Sequence, residues 1–379
     1  MKKKCFYILR FLLISIIINS LIYIYSAISN KKKYILILFV ESIIIYILRN
    51  KKIKQLFFNI FFALLLLIYP ILSIFYISNI DQSTNYGWKK TKAVPVVGNI
   101  LTESIFDPMV IVENSNDYKM YVSYRKKKSI AVCDSNDGIN WNKMKICLEN
   151  DEKSGWENQI NRGTVLNKDG KYYMWYTGQK NDVSKIGLAT SENGLSFEKY
   201  SESPVMEPEL YYEKNSVMNP YVLFDYNENI FKMWYAAGEI YEPDCIGYAT
   251  SEDGINWDKN KEPILTKGEN GKLDSCKVGA CEVHQLTDGR YIMFYIGYTD
   301  VNTARILFAL SDDGVNWKRF NTKAIISGTK FGFDGDAVYK PTVYWNEKEN
   351  KWYLWYNGRL RQNEFIGVAT CDKYDFWNE

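Results

Sequence analysis

Side chains able to act on a bound ligand recur at one matched point along residues 100–379. Aligned on a recurring Met-aromatic phrase, that point reads Asp107 before Pro108, Asn161 before Arg162, Asn219 before Pro220, Ala280 before Cys281, and Lys340 before Pro341. Further carboxylates stand nearby at Glu239, Glu282, Asp334 and Asp336, with further polar groups at Arg125, Gln179, Tyr298 and Arg359. Carboxyl groups gathered in one cavity can give and take protons. Arg162 and Lys340 could hold a carboxylate, sulfate or phosphate group by charge-assisted hydrogen bonds. Other chemistries lack their parts. His284 is the only histidine, so a Ser-His-Asp triad would have to be built on it, and no G-x-S-x-G phrase precedes it. There is no Gly-rich phosphate loop, no H-E-x-x-H and no dinucleotide-binding phrase. Cys276 and Cys281 lack a second cysteine pair and a histidine cluster, so neither zinc nor another cofactor is expected.

What must position these groups is a repeat. SNDGINW from Ser135, SENGLSF from Ser191, SEDGINW from Ser251, SDDGVNW from Ser311 and CDKYDFW from Cys371 stand 56, 60, 60 and 60 residues apart. Upstream of each lies MYVSY from Met120, MWYTG from Met174, MWYAAG from Met233, MFYIGY from Met293 or LWYNG from Leu354. Between the two come phrases such as IGLATS from Ile186, IGYATS from Ile246 and IGVATC from Ile366. Alternating aromatic and small residues bounded by Asp-Gly or Asn-Gly turns make short antiparallel strands. Each repeat reads as four strands, in the second case 164–166, 172–176, 186–190 and 197–199.

The chain is therefore expected to be all-β: a five-bladed β-propeller of four-stranded blades over residues 81–379. The last repeat lacks the W-x-K…P-[IV]-[LV] tail of the others, and residues 88–97 carry it instead, so these are expected to complete the last blade and close the ring. The first strand of each blade lines the channel, which brings Asp107, Asn161, Asn219, Ala280 and Lys340 to one face. Loops from second to third strands, and inter-blade loops with Glu157, Glu213, Asp274 and Asp334, are expected on that face too. The S-x-D-G-x-x-W phrase resembles the Asp-box of sialidase propellers, one residue shorter, and reads as a tight turn with a core-facing Trp.

The first 80 residues are different. Apolar stretches at 6–28, 34–48 and 56–80 are separated by Lys31–Lys33 and by a basic segment at 49–54. A hydrocarbon core of ~30 Å takes about 20 helical residues, so two to three transmembrane helices are expected, the middle stretch being short and containing Glu41. A cleaved signal peptide would carry a single short apolar region and a small-residue cleavage site, which this segment does not. The count of flanking Lys and Arg places the propeller outside the cytoplasm when all three stretches span. Residues 1–80 hold eleven Lys/Arg and one acid, so the overall +3 becomes a net negative charge on the remainder. Nucleic acid is not an expected partner for such a domain.

Phe106-Asp107-Pro108, the IGLATS and SEDGINW phrases and the Met-Trp-Tyr-x-Gly strands, spread over residues 88–377, resemble the five-bladed propeller superfamily of glycoside hydrolases, which includes arabinanases, invertases, levansucrases and mannoside phosphorylases. The resemblance implies a carbohydrate substrate. It also implies an Asp on the first blade as base or nucleophile, an Asp on a later blade that tunes the acid, and a Glu on the fourth blade as general acid. One carboxyl group protonates the leaving oxygen while the other activates water or attacks carbon. Asp107 matches the first position, but Asn219 and Ala280 occupy the other two. Glu282, Asp336, Glu239 and Asp334 are candidate replacements. Catalysis is accordingly expected from Asp107, Glu282 and Asp336, and substrate binding from Asn161, Arg162, Asn219, Glu239, Lys340 and Arg359. The competing expectation is a propeller that lost its acids and binds carbohydrate or another protein without turnover.

Overall fold

Each Met-aromatic phrase alternates between two packed faces and so becomes a central strand, with large rings directed into the spaces between neighbouring sheets. The computed structural model describes residues 83–92, 94–99, 104–114 and 116–378. The chain divides into two units, Met1–Ile74 and Phe75–Glu379, and the described residues belong to the second. The three apolar stretches of the N-terminus lie outside them. Among the described residues no helix is long and apolar enough to cross a membrane.

Among the described residues, twenty strands form five four-stranded antiparallel units. The first unit holds β2 (Ile105–Asn114), β3 (Asp117–Tyr124), β4 (Ser129–Ser135) and β5 (Lys145–Leu148). The second holds β6 (Gln159–Lys168), β7 (Lys171–Lys180), β8 (Val183–Ser191) and β9 (Glu198–Lys199). The third holds β10 (Ser216–Asp225), β11 (Ile230–Gly238), β12 (Cys245–Ser251) and β13 (Asp258–Lys259), and one parallel bridge, Ser216 to Ser184, joins it to the second. The fourth holds β14 (Lys277–Gln285), β15 (Tyr291–Asp300), β16 (Thr303–Ser311) and β17 (Lys318–Phe320). In the fifth, β18 (Ala337–Asn346), β19 (Lys351–Leu360) and β20 (Asn363–Cys371) take their outer strand from the other end of the chain: β1 (Lys89–Lys90) pairs with β20, Lys89 opposite Thr370 and Lys90 opposite Ala369. The first strands touch in cyclic order, β2 to β6 to β10 to β14 to β18 and back to β2.

Two repeated interactions hold adjacent strands and units in register. The first runs from the central strand of one unit to the glycine carbonyl of the next unit's turn. Tyr121 Oη donates to Gly194 O at 2.8 Å, Trp175 Nε1 to Gly254 O at 2.8 Å, and Trp234 Nε1 to Gly314 O at 2.9 Å. Trp355 Nε1 donates to Gly138 O at 2.6 Å, joining the fifth unit to the first. These glycines have φ between 68° and 77°, and a Cβ on Gly138 would lie 2.8 Å from the Trp355 ring. The remaining interface departs on both sides at once. Phe294 has no N–H to give, and the CDKYDFW turn opposite has no glycine; ring packing of Phe294 on Phe376 fills the place.

The second interaction corrects an expectation. Glu157, Glu213, Asp274 and Asp334 do not face the ligand side but are almost wholly buried. Each meets a tyrosine of its own unit, Tyr176, Tyr235, Tyr295 or Tyr356, and a cation from the outer strand, Lys199, Lys259, Arg319 or Lys90. Lys90 thus does from β1 what the other cations do from β9, β13 and β17. Its Nζ lies 2.6 Å from Asp334 Oδ2, with both side chains at 2% exposure or less. Removing one partner of such a pair leaves a buried charge uncompensated. Lys90→Met is therefore expected to lower unfolding stability by about 3–5 kcal/mol, whereas the exposed Lys128→Met should change it by no more than about 1 kcal/mol, both read by denaturant titration.

Candidate active site

A bulge near the start of each inner strand builds the site. The ladder slips between Phe106 and Met109, Asn161 and Thr164, Met218 and Tyr221, Gly279 and Cys281, and Tyr339 and Thr342. An extra residue at a bulge leaves the in-out alternation and re-aims its side chain. Four bulge residues are left-handed: Asp107 at φ 50°, Arg162 at 55°, Asn219 at 50° and Lys340 at 27°. Hydroxyls of the preceding unit hold two of them. Arg162 N donates to Ser123 Oγ at 2.8 Å and Asn219 N to Thr177 Oγ1 at 3.1 Å.

Arg162, rather than Asn161, therefore shares the position of Asp107. Asn161 turns away, giving its amide to Gln179 Oε1 at 2.8 Å and accepting from Arg162 at 3.2 Å. Asp107, Arg162 and Asn219 line a cavity of about 370 Å³. Asp107 is buried, and its Oδ2 lies 3.1 Å from Arg162 Nε. Burial pushes the Asp107 carboxyl above the ordinary range, with Glu364 pushing the same way and Arg162, Lys340 and Arg125 opposing. Asn219 has a buried Oδ1 with no hydrogen-bond partner among the described residues, an acceptor available to a ligand hydroxyl.

Loops between second and third strands supply much of the remaining wall. Glu242, Tyr241 and Pro243 come from the β11–β12 loop, and Arg359, Arg361, Gln362 and Glu364 from the β19–β20 hairpin. Glu364 is held by the Arg125 guanidinium and by Asn357 Nδ2 at 3.2 Å. Arg125 lies over the Phe106 ring at 4.4 Å, and Arg359 over Tyr339 at 5.4 Å while donating to Asn302 O at 3.1 Å. The Tyr298 hydroxyl stands close to the Glu242 carboxyl. Burial raises the Glu242 carboxyl, and Tyr298 together with Arg162, Arg359 and Lys277 pulls the other way. Four arginines and three carboxylates thus share one polar cavity.

Other residues expected at the site lie elsewhere. Two residues on from Ala280, Glu282 would share its face in a regular strand, but the bulge at Ala280 breaks that alternation. Its carboxylate, 1% exposed, accepts from Val343 N at 2.7 Å and lies 2.8 Å from His284 Nε2, tying β14 to β18. Lys340 is also 1% exposed and is not in the cavity wall; its Nζ lies 3.4 Å from Cys281 O and 5.9 Å from the Tyr221 ring centre. Asp336 is exposed and accepts from Arg361 N. Glu239 is exposed beside Lys214 at 3.0 Å. Glu242, Tyr241 and Arg361 are not evident from the repeat because they sit in loops of varying length, and Tyr339, Asn357 and Glu364 are strand residues away from the aligned inner-strand position.

The description "Glycosyl hydrolases family 32 N-terminal domain" matches this chain over residues 131–276 and again over 243–378. An uncharacterized protein of Mycobacterium tuberculosis is 26% identical over 228 residues, 56% of this chain and 71% of that protein. A beta-1,2-mannobiose phosphorylase of a Thermoanaerobacter species is 32% identical over 139 residues, 32% of this chain and 44% of the enzyme. A solved glycoside hydrolase structure superposes with a TM-score of 0.62 at 19% identity, covering 74% of this chain and 90% of that one. The architecture is that of a β-propeller glycoside hydrolase, and the family and relatives support a glycosidase or phosphorylase.

The Asp107–Arg162 pair has a testable consequence. Arg162→Gln leaves the buried carboxylate without its cation and is expected to cost about 3–5 kcal/mol of stability at neutral pH. Loss of the cation raises the folded-state pKa of Asp107 further above its unfolded value. The penalty therefore shrinks as pH falls through that raised pKa and the carboxyl takes up a proton. Denaturant titrations of wild type and variant at neutral and mildly acidic pH read the difference.

Proposed function

The chain belongs to the glycosyl hydrolases family 32 N-terminal domain family, and we propose that it is a membrane-anchored five-bladed propeller that cleaves glycosidic bonds of a glycan or oligosaccharide in the cavity around Asp107. The observation that carries this reading is a buried Asp107, paired with Arg162 and accompanied by Glu242 and Glu364 in one cavity. A sugar needs donors and acceptors for its hydroxyls; Asn219 Oδ1 and the arginines supply them. In this reading Asp107 is the base or nucleophile, and the Arg162 guanidinium favours its ionised form against the opposing effect of burial. Residues 1–80 serve as the anchor in this reading; with all three apolar stretches spanning, the flanking charge favours a propeller outside the cytoplasm, and with the middle one not spanning the propeller is cytoplasmic.

Phosphorolysis is the second reading. It is favoured by the likeness to a mannobiose phosphorylase and by four guanidinium groups in the wall, which suit an inorganic phosphate co-substrate. The missing carboxylates at positions 219 and 280 favour a non-catalytic carbohydrate-binding protein instead.

Full-length protein in detergent, assayed on aryl glycosides and oligosaccharides with and without inorganic phosphate, separates the three. Turnover is expected, and Asp107→Asn should lower kcat by about 10²–10⁴-fold. A strict need for phosphate would assign phosphorolysis. Saccharide binding with no turnover on any substrate would leave only the binding protein.

A further inference from the structure

We infer that Glu242 is the proton donor opposite Asp107, an assignment that rests on the proposed glycoside chemistry. The positions where resemblance led to an acid and its modulator hold Ala280 and Asn219, neither of which can give a proton. Glu282, the nearest replacement in sequence, is locked between Val343 N and His284 outside the cavity wall. Three carboxylates remain in the wall, and their partners differ. Asp107 is ion-paired to Arg162. Glu364 has one oxygen on Arg125 and the other on Asn357. Glu242 has a phenol partner, Tyr298, and its carboxylate enters no ion pair among the described residues.

Its loop is held in place. Lys277 Nζ donates to Glu242 O at 2.8 Å and pairs with Asp244 Oδ1 at 2.9 Å. Pro243 packs so closely on β14 that a Cβ on Gly279 would lie 2.6 Å from the proline ring. Glu242 is therefore a positioned side chain. Tyr298, 2% exposed, keeps its own proton because burial raises its phenol well above the ordinary value, so it is available as a hydrogen-bond donor to the spent carboxylate. Tyr298, Arg162, Arg359 and Lys277 favour ionisation of Glu242, and their combined pull falls short of the effect of burial; Tyr339 also faces it, and Asp107, Glu364, Arg125 and Arg361 share its cavity.

The hydrolytic step balances as follows. The Glu242 carboxyl gives its proton to the glycosidic oxygen as the bond from that oxygen to the anomeric carbon breaks, the bonding pair leaving with the oxygen. Water bonds to the anomeric carbon and gives a proton to Asp107. Proton exchange with solvent then resets both carboxyl groups.

The test compares Glu242→Gln, Glu364→Gln and wild type, as full-length protein in detergent, on two versions of one glycoside. One has an alkyl alcohol as leaving group, which needs a proton, and the other a dinitrophenolate, which does not. Glu242→Gln is expected to lose about 10²–10⁴-fold in kcat/KM on the alkyl glycoside, and less than about tenfold on the dinitrophenyl glycoside. Equal losses on both, or none on either, would overturn the assignment, as would Glu364→Gln showing the selective loss instead. An inactive wild type would instead remove the glycoside reading itself, and the proton donor with it.

Discussion

A buried carboxylate paired with a lysine or arginine from the outer strand, repeated at Glu157, Glu213, Asp274 and Asp334 and bonded also to a tyrosine at the last three, is the constraint on which the arrangement depends. Removing a carboxylate from water is costly, and an ion pair inside a protein seldom yields large net stability compared with apolar packing. Its value here lies in selection. A buried negative charge accepts only the strand that brings a cation to it. For Asp334 that strand is β1, far away in sequence, so the pairing of β1 with β20 is specified by charge as well as by backbone hydrogen bonds.

Once the units are held, their inner strands can carry strain. Left-handed backbone at Asp107, Arg162, Asn219 and Lys340 costs on the order of 1–3 kcal/mol at each non-glycine residue. The indole-to-glycine bonds between units and the hydroxyls of Ser123 and Thr177 supply the surroundings that keep it in place. The return is geometric. A regular strand would point these side chains alternately inward and outward, whereas the bulges direct Asp107, Arg162 and Asn219 into one cavity.

Within that cavity the opposing effects are burial and counter-charge. Burial raises both Asp107 and Glu242, and the arginines limit the rise. Asp107 has a guanidinium in direct contact, while the described contact of the Glu242 carboxylate is a neutral phenol. Two carboxyl groups sharing one cavity are thereby placed in different electrostatic surroundings, which is how acid and base roles come to be separated.

Strand phrases, turns and the all-β class were legible in the sequence because they are local: ring-small alternation and Asp-Gly turns dictate strands and hairpins over spans of a few residues. Asp107, Arg162, Asn219 and Arg359 were legible as cavity residues for a related reason, since a repeat reports equivalent positions. Periodicity could not reveal where the bulges fall, and one extra residue reverses the face a side chain takes, which moved Asn161 and Glu282 out of the wall. Nor could it reveal that Glu157 and its counterparts are buried, because the cations that pair with them come from strands about 40 residues away or more. Glu242 stands in a connection that no alternation rule governs, and Glu364 at the start of β20 meets residues that come from distant strands; only contacts such as Tyr298 to Glu242 and Arg125 to Glu364 decided where their carboxylates lie.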